Sequence, residues 1–189
     1  MRQTSSAYVI PNALRDLVLL DLVSLTGSTT GAGQHLHLSQ PTVSRRCRRL
    51  AAELGLGRRD GGAIGDRYGD SICLRLLRKG VNRHRWDAGV LRLGGCRAEA
   101  QHLAALAGIE WVALDRVPVQ RWPMLLRREL LDGVVVNAAD PLGVAWHGCQ
   151  RHGLRLGAGC SAVQARRHPM IRRLLQARLG GDSVSELVA

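Results

Sequence analysis

The sequence predicts an α/β chain with a helical N-terminal third, a long connecting helix, and then strands alternating with helices. Three observations predict it. Between Gly27 and Gly55 two short helical patterns are joined by a tight turn, from Ser71 to Trp86 apolar residues recur at helical spacing, and from Gly89 onward short apolar runs alternate with helical stretches. A chain of 189 residues that is 46% apolar can bury a sizeable core, enough for two modest domains.

Residues Met1 to Pro11 read as a loose lead-in, with Tyr8, Val9 and Ile10 able to dock as a short extended piece. A helix is predicted from Asn12, as its cap, to about Leu25. Its apolar residues occupy two sides rather than one, which is too many for a helix with a wet face, so part of it is expected to meet another subunit.

Ser28 and Thr29 supply a hydroxyl cap for the next helix, about Thr30 to Leu36, in which Ala32 and Leu36 point inward. Gly31 and Gly33 lie inside it and each costs roughly 1 kcal/mol against alanine, so the helix is expected to be weak in isolation. Ser39-Gln40-Pro41 is a strong helix start, because a serine hydroxyl accepts an orphan N–H and proline in the first turn gives up no hydrogen bond. Val43, Cys47, Leu50 and Leu54 then form one apolar face, while Thr42, Arg45, Arg46 and Arg49 lie opposite, flanked by Arg48. Cationic side chains early in a helix gain nothing from its dipole. They suit a polyanionic partner, or are an ordinary solvated face.

A helix fits the major groove of B-DNA, arginine grips phosphate or guanine in a bidentate fork, and Gln40, Thr42 and Ser44 are short enough to reach base edges. From about Leu14 to Gly55 the sequence resembles the LysR-type transcriptional regulators, through Leu36, Ser39-Gln40-Pro41, Val43-Ser44-Arg45, Leu50 and Glu53-Leu54-Gly55. The resemblance implies a winged helix-turn-helix whose second helix reads double-stranded DNA. Gln40, Pro41, Thr42 and Arg45 would face bases and Ser28, Thr29, Ser44 and Arg48 phosphates, with Ser39 and Arg49 on the same surface. Departures from the family are Gly31 and Gly33 where alanine is favoured, Ala51 where an acidic residue is usual, and the absence of a Leu-Phe pair after Gly55.

Leu56 to Asp70 is rich in glycine and charge, which fits a hairpin wing turning at Asp60-Gly61 or an unstructured loop. From Ser71 to about Trp86 the spacing predicts a helix whose wet faces carry Arg75, Arg78, Lys79, Arg83 and Arg85. It resembles the family's linker helix, which implies a homodimer or higher homo-oligomer joined through Ile72, Leu74, Leu77 and Val81. Beyond it, strands are expected at Val90–Leu93, Trp111–Leu114 and Val134–Asn137, with helices at Ala98–Ala107 and at Trp122–Leu131, the latter stopped by Gly133. Such alternation implies a parallel sheet with right-handed crossovers.

This region resembles the opening of the family's effector domain, a partial Rossmann-like (periplasmic-binding-protein-like) lobe. Asp140 to Gly159 carries few periodic signals, with one more strand expected at Leu154–Leu156. A last helix from about Pro169 to Leu179 buries Ile171, Leu174, Leu175 and Leu179 and wets Arg166, Arg167, Arg172 and Arg173. The expected domains are therefore 1–68, 69–88 and 89–189, the last shortened by loss of the second lobe. Without a cleft between two lobes no small-molecule inducer is expected.

The net charge of +12 favours nucleic acid or an anionic surface. The five cysteines include no C-x-x-C pair, so neither a disulfide framework nor structural zinc is suggested, and a reducing cytoplasm fits. No run is long enough to span a bilayer, the N-terminus has no signal-peptide pattern, and no membrane partner is expected. His147-Gly148-Cys149 with His152 is the best metal cluster but lacks a fourth partner, and Cys96 or Cys160 as nucleophile would need a base that sequence does not place. No cofactor, metal or catalytic residue is expected. The reading is a DNA-binding regulator of LysR type, with a non-sequence-reading accessory protein that keeps the fold as its alternative.

Overall fold

The computed structural model describes residues 9–57, 68, 70–97, 102–137, 145–156 and 159–179. They form two compact units, residues 9–83 and the residues from 84 onward. An N-terminal helix-turn-helix is followed by an α/β domain with a mixed sheet.

The first unit holds a 3₁₀ turn at Asn12–Leu14, then α1 (Arg15–Thr26), α2 (Thr29–Leu36), α3 (Gln40–Glu53) and the greater part of α4 (Ile72–Asp87). The apolar residues of α1 on several sides are explained by its central place in its own unit, and not by another subunit. Leu17 to Val23 are all buried, α2 and α3 both pack on the helix, and Asp21 accepts a fork of hydrogen bonds at 2.7 and 3.0 Å from Arg78 of α4. Asp21 and Arg78 are 1% and 5% exposed. Removing one partner of such a buried pair costs about 3–5 kcal/mol, because the other charge is left without compensation.

Leu74 and Val81 lie one turn either side of Arg78 on the same face of α4, and both are buried. Two of the four residues expected to join subunits are thus core residues of a single chain. Ile72 and Leu77 remain exposed, at 70% and 40%, and Leu76 joins them at 62%. Of the predicted wing, residues 58–67 and 69 lie outside the described residues, while Leu56 and Tyr68 are buried.

The second unit contains β1 (Leu91–Gly95), β2 (Ile109–Ala113), α5 (Trp122–Arg127), β3 (Gly133–Asn137), β4 (Cys149–Leu156), β5 (Gly159–Arg166) and α6 (Pro169–Leu179). Residues 98–101 of the helix expected after β1 lie outside the described residues. The sheet order is β2-β1-β3-β5-β4. The expected parallel arrangement holds for β2, β1 and β3, but β5 runs antiparallel to both β3 and β4, so the sheet is mixed. The single strand expected near Leu154 is the end of an eight-residue strand, and its hairpin partner β5 was not anticipated.

Arg166, expected on the wet face of the last helix, closes β5 with a side chain 14% exposed. α5 is shorter than expected because the chain turns at Glu129, whose φ of 60° is left-handed, and Leu130 N–H returns to Leu125 O at 3.0 Å. That turn sends Leu130 and Leu131 inward.

The core of this unit joins Trp86, Leu91, Leu93, Trp111, Val135 and Val163 with Ile171 and Leu175 of α6. At its centre Asp132 is fully buried. Its carboxylate accepts from Arg85 at 2.5 and 3.2 Å, from the Trp86 indole N–H at 3.0 Å and from the Arg92 backbone N–H at 2.7 Å. Its own N–H and C=O bond Arg92 O and Arg166 N, at 2.9 Å each. The Arg166 guanidinium lies 5.5 Å from the Trp86 ring centroid. Arg85, expected on a wet face of α4, is completely buried here. Burial alone would raise the Asp132 pKa, but the charge and hydrogen bonds of Arg85, the Arg92 N–H and the charge of Arg166 outweigh it and hold the carboxyl below its ordinary value.

Candidate nucleic-acid interface

α2 begins where Ser28 caps it, the hydroxyl accepting from Gly31 N–H at 2.9 Å. It ends at His37, whose left-handed φ of 53° turns the chain, and Leu38 N–H closes back onto Gly33 O at 2.9 Å. This turn explains Gly33. A β-carbon there would stand 2.5 Å from the Leu38 carbonyl oxygen, so the residue that weakens the helix is what lets the turn close.

α3 starts at Gln40 with Pro41 in its first turn. Ser39 does not cap it through its side chain as expected, since its hydroxyl pairs with the Thr42 hydroxyl at 2.9 Å, one turn on. Gln40 Nε2 donates to Thr29 Oγ1 at 3.2 Å, tying the starts of the two helices together. The buried stripe of α3 is Val43, Cys47 and Ala51, with Leu50 and Leu54 only partly covered. Ala51 therefore departs from the family pattern at a core position.

The four arginines of α3 divide into two pairs. Arg45 is exposed and forms no ion pair among the described residues, and Arg48, also exposed, folds back onto Ser44, reaching its carbonyl at 3.3 Å and its hydroxyl at 3.2 Å. Arg46 and Arg49 converge instead on Asp16 in the first turn of α1, at 2.5 Å to Oδ1 and 2.7 Å to Oδ2 respectively. Arg49 also lies 3.7 Å from Glu53. Ser39, Gln40 and Pro41 are exposed, while Ser28, Thr29, Thr42 and Ser44 are half-buried on the same side as the helix starts. The sequence pattern found the helix but missed Asp16, which lies thirty residues before Arg46.

A second basic surface lies in the other unit, a groove of about 390 Å³ lined by Gln150, Arg167, His168, Arg172 and Arg173 among others. It is open, walled largely by long cationic side chains, and does not enclose an interior that would bury most of a ligand. Of the weighed metal cluster, Cys149 and His152 stand three apart on β4 and so on opposite faces of the strand. Half-burial pushes the Cys149 thiol pKa up, against the pull of Arg127, Arg167 and Arg166. Cys96 is exposed after β1, and the side chain of Cys160 lies outside the described residues.

Two short helices at a tight turn, packed on a buried third helix and followed by an α/β domain, define the helix-turn-helix class. Residues 14–57, the helix-turn-helix segment and less than half of the chain, match the family described as bacterial regulatory helix-turn-helix protein, lysR family. No curated protein sequence matches the chain. Among solved structures it is similar to ArgP from Mycobacterium tuberculosis, with 19% identity over 74% of this chain and 51% of that one, at a TM-score of 0.34. Full-length OxyR from Pseudomonas aeruginosa gives 15% identity over 75% and 54%, at 0.38. CrgA, a LysR-type transcriptional regulator from Neisseria meningitidis, gives 16% over 78% and 54%, at 0.31. The chain thus spans about half the length of these structures. Among the described residues no helix is long and apolar enough to cross a membrane.

Proposed function

We propose that the chain is a sequence-specific regulator of transcription that binds double-stranded DNA through α3. The observation that carries this is the division of α3 into a buried stripe, Val43, Cys47 and Ala51, and an exposed side bearing Gln40, Pro41, Arg45 and Arg48 just after a helix-turn-helix turn. An α-helix presented this way enters the major groove with its N-terminal residues against base edges. In this reading Gln40, Pro41, Thr42 and Arg45 meet bases, and Ser28, Thr29, Ser44 and Arg48 meet phosphates. Residues 1–68 are the DNA-binding part, 69–88 the linker and 89–189 the effector-like part.

The reading is non-enzymatic and sets the protein in the cytoplasm, where bacterial promoters lie. A second copy of the chain is its second partner. Ile72, Leu76 and Leu77 leave an apolar strip on α4 exposed, and one reading helix buries too little DNA surface for tight binding. Binding without a small-molecule inducer is part of the same proposal, and the single sheet formed by the described strands of the second unit supports it.

Arg45→Ala tests base reading. It is expected to cost about 1–3 kcal/mol on the preferred duplex and less on random DNA. Equal losses on both would reduce Arg45 to a phosphate contact, and a wild-type protein whose binding does not survive excess random duplex would defeat the proposal.

A further inference from the structure

Asp16 stands at the start of α1, away from the turn that presents α3, yet it takes one guanidinium on each carboxylate oxygen, Arg46 on Oδ1 and Arg49 on Oδ2. Arg46 and Arg49 are three apart on α3 and so share a side of the helix, as Arg45 and Arg48 share the next. The Asp16 side chain is 18% exposed and that of Arg46 25%, whereas Arg49 is 63% exposed. The carboxylate thus reaches out of a half-buried seat to hold an arm that would otherwise swing in solvent. An acidic residue in the first turn of a helix is itself favoured by the helix dipole, so the place of Asp16 does not depend on the arginines it holds.

We infer that Asp16 is a specificity-determining residue that withholds Arg49, and with it Arg46, from the DNA backbone. The inference rests on the DNA-binding reading above and assigns regulation of that same surface. Four free arginines on one helix would grip any duplex, since phosphate contacts are indifferent to sequence and each adds about 0.9 to the slope of log K against log salt concentration. With one carboxylate shared between two of them, the arginines that no carboxylate holds among the described residues are Arg45, placed toward bases in the reading above, and Arg48, braced on Ser44. Asp16 lowers affinity for random DNA more than for the preferred site, and so widens the ratio between them.

The test compares salt titrations of random and preferred duplexes with the full chain and with Asp16→Asn, which keeps the side-chain volume and removes the charge. Asp16→Asn is expected to steepen the salt slope by about one unit for each arginine released, to strengthen random-duplex binding severalfold, and to narrow the specificity ratio. Adding Arg49→Ala to it is expected to remove about one unit of the gained slope. A purely structural Asp16 moves none of these readouts, and an unchanged slope in a folded Asp16→Asn protein overturns the inference while leaving the DNA-binding reading intact. Should Asp16→Asn not fold, Arg49→Ala alone decides, because a withheld arginine leaves the slope unchanged and a phosphate contact loses about one unit. Absence of duplex binding by the wild-type chain defeats both readings at once.

Discussion

Asp132→Asn is the sharpest perturbation available in the second unit. The substitution is nearly isosteric, so it tests charge and hydrogen bonding rather than packing. Asn retains one carbonyl acceptor, but its NH₂ then faces the Arg85 guanidinium, the Trp86 indole N–H or the Arg92 backbone N–H, all of which are donors aimed at a carboxylate. Arg85 is 0% exposed and would keep its charge with its nearest counter-charge removed. Breaking a buried pair in this manner costs about 3–5 kcal/mol. That is a large share of the roughly 5–15 kcal/mol that stabilises an ordinary domain.

The four tryptophans, Trp86, Trp111, Trp122 and Trp146, all lie in the second unit, so urea denaturation followed by tryptophan fluorescence isolates its transition. With a slope of about 1–2 kcal/mol per molar urea, the midpoint is expected to fall by roughly 2–4 M, or the unit to be unfolded without denaturant. The pH dependence has a definite sign. Because the folded-state pKa of Asp132 is lowered from an ordinary 3.8, its contribution is fully present at neutral pH and is lost as pH falls below that value through the folded one. Wild type and variant are therefore expected to converge on acidification below pH 4 or so. A midpoint change worth less than about 1 kcal/mol at neutral pH would refute the assignment of Asp132 as the electrostatic centre of this unit.

Three further outcomes follow from the geometry. Gly33→Ala gains about 1 kcal/mol of helix propensity yet drives a β-carbon to 2.5 Å from the Leu38 oxygen, so melting of the first unit by circular dichroism is expected to show a net loss of roughly 1–2 kcal/mol; stabilisation would mean the turn yields freely. Leu77→Glu changes a side chain already 40% exposed and is expected to leave the fold intact while sedimentation changes from dimer to monomer; a wild-type chain already monomeric at micromolar concentration would remove the α4 interface. A panel of aromatic and small organic acids is expected to leave both thermal midpoint and duplex affinity unchanged, whereas a saturable rise coupled to altered DNA binding would establish an inducer, with the basic groove at Arg167 and Arg172 the first place to look.

What could be read from the sequence was what repeats within a turn or two of chain. The helix-turn-helix was legible because Ala32, Val43 and Cys47 fall at helical spacing and Ser28 sits where a cap belongs. β1, β2 and β3 were legible as short apolar runs. β5 was not, because it buries Ala162, Val163, Gln164 and Ala165 in succession, a run without alternation in which Val163 alone favours a strand. Its neighbours β3 and β4 make it a strand, by backbone pairing that side chains do not announce. Gly33 was legible as a cost but not as a requirement, since the atom that requires it belongs to Leu38 beyond the end of the helix.

The arginines show the same division most clearly. Lys79 is the sole lysine among 27 Lys+Arg, so composition alone gives every arginine equal weight as a nucleic-acid contact. The fold does not. Arg78 and Arg85 look alike on the wet side of a predicted helix, yet each forks onto an aspartate 57 or 47 residues away and is removed from solvent. Arg92 lies in a strand 3.0 Å from Glu110, and Arg166 lies over Trp86 and beside Glu129. These pairs cancel charge in the interior, where a guanidinium suits the task because its planar fork satisfies two oxygens at once. The count of 27 Lys+Arg therefore overstates the number of cations free to meet DNA, and the net charge of +12 says nothing of where they are. On α3 that free number depends on Asp16. In the reading proposed above, one acidic residue on a neighbouring helix sets whether α3 offers DNA two arginines not held by a carboxylate or four, and so whether it grips duplexes in general or one in particular.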